Sequence, residues 1–160
     1  MDLKLILGSA IAPGLALLPP AMTSPRALVM LLTIGQQESG MTARVQHGGG
    51  PARGLWQFEE GGGVRGVLMH PATQAFAVHA CQARDVLPTT PTAWAALARD
   101  DVLAAAFARL LLFADPRPLP ELGDEAGAWE CYARNWRPGK PRRETWGAFY
   151  AAALHEVPRV

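Results

Sequence analysis

Apolar positions along this chain recur mostly in helical patterns. Ala27, Leu28, Leu31, Leu32 and Ile34 give one segment a wide buried face. Ser24 stands before it as an N-cap, Pro25 is preset for a first helical turn, and Gly40 follows as a left-handed stop. The pattern predicts a helix that places Glu38 in its last turn. Similar patterns predict helices over about 72–84, 92–99 and 101–114, the last capped by Asp100 or Asp101, and over about 124–134 and 142–155. Pro116, Pro118 and Pro120 read as a stiff extended connector, and Pro138-Gly139-Lys140-Pro141 as a turn.

The helical pattern breaks from His47 to Gly63, where Gly48-Gly49-Gly50-Pro51 and Gly61-Gly62-Gly63 bracket the segment Ala52 to Glu60. So many glycines predict a loop, with one short strand or hairpin at Leu55 to Phe58. Neither GxxxxGK[ST] nor a GxGxxG following a strand occurs, so the glycines do not read as a phosphate cradle. The apolar stretch Leu3 to Leu18 resembles a signal or anchor in composition. Its leading Asp2, its Pro13-Gly14 interruption and its length, below the roughly 20 residues of a span, favour a short core helix.

Composition narrows the class. The chain has 160 residues, 49% of them hydrophobic and 18% charged, which fits a single folded domain over 1–160 with no internal repeat. Its 15 basic and 14 acidic residues leave a net charge of +1, so no global field recruits nucleic acid or anionic membrane. Arg134, Arg137, Lys140, Arg142 and Arg143 form a local basic run, either a solvated face or a contact for an anionic polymer. Cys81 and Cys131 lack metal or redox spacing; they read as two buried free thiols, with one disulfide as the alternative. His47, His70, His79 and His155 are scattered, and no Ser/His/Asp triad or metal set is suggested.

Three ordered segments carry the candidate chemistry: Gln37-Glu38-Ser39-Gly40, Gly54-Leu55-Trp56-Gln57-Phe58, and Tyr132-Ala133-Arg134-Asn135-Trp136-Arg137-Pro138-Gly139. Together they resemble the signature of the lytic transglycosylases of the lysozyme-like superfamily: a helix-ending Glu-Ser, a Gly-Leu-Met-Gln motif, and an Ala-Tyr-Asn-x-Gly motif with insertions. The resemblance spans Ser24 to Trp146. Trp56 stands where the family has Met, Asn135 does not directly follow Tyr132, and a longer basic turn replaces a short glycine turn.

The resemblance implies a mainly α, lysozyme-like domain with a small glycine-rich loop or β element after the helix of the acid. It implies Glu38 as a catalytic acid, with Ser39, Gly54, Trp56, Gln57, Tyr132, Asn135 and Trp136 as substrate contacts. Glycoside cleavage needs a proton at the bridging oxygen, and both burial and a helix C-terminus keep a carboxylic acid protonated. Glu59, and after it Glu60, is the candidate second carboxylate of a two-carboxylate hydrolase. The implied partner is the glycan strand of bacterial peptidoglycan, with no cofactor, no metal, no nucleic acid and no stable membrane anchor. The general character is that of a small phage lysin, made in the host cytoplasm and acting at the wall with a holin, or carried in a virion. A muramidase on the same fold and a non-catalytic phage wall-binding protein are the alternatives.

Overall fold

A computed structural model describes residues 1–158; Arg159 and Val160, the last positions of the expected domain, lie outside the described residues. The described chain is mainly helical. Its α-helices are α1 (Leu3–Ile6), α2 (Ala12–Ala16), α3 (Pro25–Ser39), α4 (Arg65–Met69), α5 (Gln74–Ala83), α6 (Thr90–Leu97), α7 (Asp101–Ala114), α8 (Glu125–Trp136) and α9 (Arg143–Glu156).

The N-terminal segment is the expected core helix, with a π-helical stretch at Leu7–Ile11 joining α1 to α2. Pro13 accounts for it. A proline ring collides with the carbonyl four residues back in an unbroken α-helix. Here the preceding turn widens, and the Ala12 N–H reaches Leu7 O instead. Ile6, Ile11, Leu15 and Leu18 are buried, and α2 lies against α7. No helix among the described residues is long and apolar enough to cross a membrane.

α3 runs through the core and packs against α9. Ser24 Oγ accepts the Ala27 N–H at 3.2 Å, Pro25 opens the first turn, and Gly40 closes the helix at φ +62°. Asp100 and Asp124 cap α7 and α8 through side-chain contacts to Leu103 N and Gly127 N. Cys81 and Cys131 are buried free thiols.

Residues 41–64 depart from expectation. No strand forms at Leu55 to Phe58; two isolated antiparallel bridges, Val45 to Arg53 and Arg53 to Phe58, pin the loop instead. Between them the chain turns tightly, with Gly54 at φ +78°, Gln57 at φ +51° and the Gln57 N–H on Gly54 O at 2.9 Å. A β-carbon at Gly54 would lie 2.8 Å from Leu97 O, so both backbone angle and space select glycine. The second glycine run, Glu60–Val64, is a turn kinked at Gly62, whose φ of −101° and ψ of −106° are non-helical, and it leads directly into α4.

Candidate functional site

The carboxylate in the last turn of α3 opens into a cleft of about 1120 Å³. One wall is the end of α3, at Gln37 to Gly40; another is the glycine-rich loop, with Gln46, His47, Gln57, Phe58, Glu59 and Gly61 to Gly63. The third comes from the end of α7 and from α8 with its following turn, including Asp115, Tyr132, Asn135, Trp136, Lys140 and Arg142. Segments more than ninety residues apart in sequence therefore meet around Glu38.

Glu38 is half-buried, and Tyr132 donates its hydroxyl to Glu38 Oε1 at 2.5 Å. Burial raises the carboxyl above the usual range, against smaller opposing effects of the Tyr132 hydrogen bond and the Arg142 charge. Oε2 has no partner among the described residues and is not a buried atom, so it is the oxygen open to the cleft. The arrangement anchors one oxygen and presents the other, on an acid biased towards its protonated form.

Tyr132 itself is 2% exposed and held by aromatic neighbours. Its ring stacks on Trp146 with centroids 4.9 Å apart and planes 19° from parallel, and Trp129 and Trp136 flank it. Burial, followed by the nearby Glu38 charge, pushes its phenol well above the ordinary tyrosine value, so the hydroxyl remains a donor.

The remaining sequence-predicted contacts divide. Gln57, Asn135 and Trp136 line the cleft with Ser39 and Tyr132. Ser39 is occupied structurally: its hydroxyl meets Leu55 O at 2.6 Å and Gly35 O at 3.1 Å, and its oxygen accepts the Met41 N–H. Asn135 sits one turn beyond Tyr132 on α8, which reconciles the motif's spacing with a shared face. Its Nδ2 is committed to Asp115 and Cys131 O, leaving Oδ1 for a ligand. Trp136 is half-buried, with its indole N–H on Trp56 O at 2.9 Å and its ring edge-on to Phe58.

Trp56 and Gly54 are not in the cleft. Trp56 is fully buried, and its indole N–H donates to Leu31 O at 2.9 Å. The tight turn breaks strand alternation, so Leu55 and Trp56 both enter the core. The Gly54 N–H is bound to Arg44 O at 2.8 Å and its carbonyl accepts from Gln57, leaving no backbone group to contact a sugar. Glu59 is exposed on the loop wall; Glu60 is not among the lining residues.

Asp115 was not singled out by the sequence. Its side chain is 7% exposed and bonded to Arg134 Nε at 2.7 Å, Asn135 Nδ2 at 3.0 Å and the Arg117 N–H at 3.0 Å. Burial pushes its carboxyl up, but these donors outweigh it and hold the group below the usual range. It is an ionised structural anion, and its only sequence signal is an Asp just after a helix.

The basic run is also not uniform. Arg134 is paired with Asp115, Arg143 is paired with Glu125 at 2.6 Å and lies over Trp129, and Arg142 donates to Gln37 O. Arg137 and Lys140 alone in this run have side chains with no ion-pair or hydrogen-bond partner among the described residues, and both border the cleft. Among the described residues, no group of His, Cys, Asp or Glu is arranged to hold a metal. No family model, curated protein or solved structure matches the chain.

Proposed function

We propose that the chain is a peptidoglycan-cleaving glycosidase of lytic transglycosylase type, with a lysozyme-like fold. The observation that carries this reading is the Glu38 and Tyr132 pair, one oxygen anchored and the other open, on an acid whose burial favours its protonated form in a long cleft. Glu38 gives its proton to the bridging oxygen as the bond to C1 of the N-acetylmuramic residue breaks, releasing the N-acetylglucosamine side. The resulting carboxylate then takes the proton of the C6 hydroxyl as that oxygen bonds to C1, closing a 1,6-anhydro ring and restoring the acid. No second carboxylate is required.

Glu59 is the residue on which the hydrolase alternative rests, since it is the exposed carboxylate of the facing loop wall. Mass analysis of the products of peptidoglycan digestion separates the two, because an anhydro end lacks one water. Glu38→Gln should abolish cleavage, by more than the 10²–10⁴-fold or so usual for general acid–base catalysis. Retention of a tenth of wild-type activity in the folded variant would overturn the assignment.

The same substitution has a stability signature. A carboxyl raised in the folded state makes the protein less stable as pH climbs from the unfolded pKa, about 4.3, through the folded one. Glu38→Gln should therefore melt above wild type at neutral pH, with the gap closing at about pH 4 and below.

A further inference from the structure

A second cavity, of about 370 Å³, lies away from the cleft, lined by Ala21, Ser24, Pro25, Arg26, Arg109, Leu119 and Leu122. Arg109 comes from the middle of α7 and is 6% exposed. Its Nε donates to Met22 O at 2.7 Å and its guanidinium carbon lies 5.9 Å from the centre of the Phe113 ring. Nη1 is buried without a partner, and Nη2 makes no hydrogen bond among the described residues. No carboxylate among the described residues lies within ion-pair distance of it. A guanidinium this buried, unpaired and with Nη2 free is costly unless an anion neutralises it.

The other side of the cavity is the start of α3. Pro25 has no N–H, the Ala27 N–H is used by Ser24 Oγ and the Leu28 N–H by Ser24 O. The Arg26 N–H is the first-turn donor left over, at the positive end of a fifteen-residue helix. At the rim, Arg26 is paired with the exposed Glu121 at 2.6 Å. That carboxylate disfavours a dianion, while Leu119, Leu122, Ala21 and Pro25 supply apolar wall.

The geometry points to a binding site for a monocarboxylate carried on an apolar body, its carboxylate on Arg109 and the first turn of α3, its hydrocarbon against Leu119 and Leu122. Arg109 Nη2, free and not a buried atom, offers a carboxylate a charge-assisted hydrogen bond, which the surrounding burial makes stronger than at a surface. The site is independent of the proposed glycosidase activity and would stand if that reading fell.

Hexanoate is the probe, with acetate and hexanamide as controls, followed by calorimetry and thermal melting of the full chain. Hexanoate should bind saturably and raise Tm by about 8 °C at a hundredfold excess over its Kd. Acetate should bind at least about tenfold more weakly for lack of apolar contact. Hexanamide should not bind. Arg109→Met should remove the hexanoate response. Leu122→Glu provides a second route that leaves the guanidinium in place: its carboxylate should occupy the site, raise Tm without ligand and abolish the response. Cleft activity should be unchanged in the Leu122 variant. Absence of saturable hexanoate binding to wild type, equal binding of hexanamide, or an undiminished response in either folded variant overturns the proposal.

Discussion

Tyr132→Phe removes one hydroxyl and leaves the ring that stacks on Trp146 at 4.9 Å, so it isolates the 2.5 Å contact to Glu38 Oε1. That bond stabilises Glu38 in both protonation states, but more when the acceptor is charged. Taking about 1.5–3 kcal/mol for a hydrogen bond to a charged group and about 0.5–1.5 for a neutral one leaves a difference of roughly 1–1.5 kcal/mol. At 1.36 kcal/mol per pH unit, losing it moves the Glu38 titration upward by about one pH unit. Burial, the larger influence, is nearly unchanged. Carbon-13 NMR of the glutamate carboxyls measures the titration without requiring activity. If the protein cleaves peptidoglycan, the alkaline limb of kcat/KM should move the same way, while the plateau drops about tenfold because Oε2 is no longer aimed by its anchored partner. A downward or absent displacement of the Glu38 titration in the folded variant would refute the idea that Tyr132 acts on the acid through this hydrogen bond.

Three further outcomes test the surroundings. Asp115→Asn should cost about 1–3 kcal/mol in urea denaturation at neutral pH; because the wild-type carboxyl is held below its usual value, that contribution is present above about pH 4 and fades as pH falls through the folded pKa. Gly54→Ala should cost about 2–4 kcal/mol by the same measurement, from the left-handed backbone and the 2.8 Å approach to Leu97 O; a change below about 0.5 kcal/mol would show the turn to be soft. Arg137→Gly with Lys140→Ser should weaken salt-sensitive binding to intact sacculi and leave turnover of a short uncharged oligosaccharide within a few-fold of wild type. Arg143→Ser should instead lower stability, through Glu125 and Trp129, without altering that binding.

Helices were legible where local chemistry decides them. Ser24, Pro25 and Gly40 bound α3 as read, and Asp100 and Asp124 start α7 and α8. The segments holding Glu38 and Tyr132, both singled out in the sequence, do meet, and the buried phenol finds its acceptor in that carboxyl. What escaped depends on how distant segments approach. Gly63 allows the chain to pass Phe58, where a β-carbon would sit 2.6 Å from the ring, so the second glycine run forms a turn kinked at Gly62 that feeds α4 rather than an open loop. Trp56 reads equally well as a cleft wall or as core until the turn around it is known. Arg109 carries no local mark at all, because its isolation arises from what α3 and the proline connector place beside it.

The loop behind the acid is closed at two levels. Ser39 and Trp56 fasten its base to α3 through Leu55 O and Leu31 O, and Gln46 pairs with Ala52 further out, at 3.0 Å. Beyond that second closure His47 to Gly49 are exposed, whereas Gly50 is half-buried and the Gly50 and Pro51 carbonyls accept from Arg53 and Trp94. Loop entropy grows slowly, by about 0.6 kcal/mol per doubling of length, so insertions at Gly48 or Gly49 carry little thermodynamic penalty and do not reach the base. The rim of the cleft is thus free to vary in length while Glu38 keeps its position: a division between an adjustable edge and a fixed base, available to evolution and to an engineer alike.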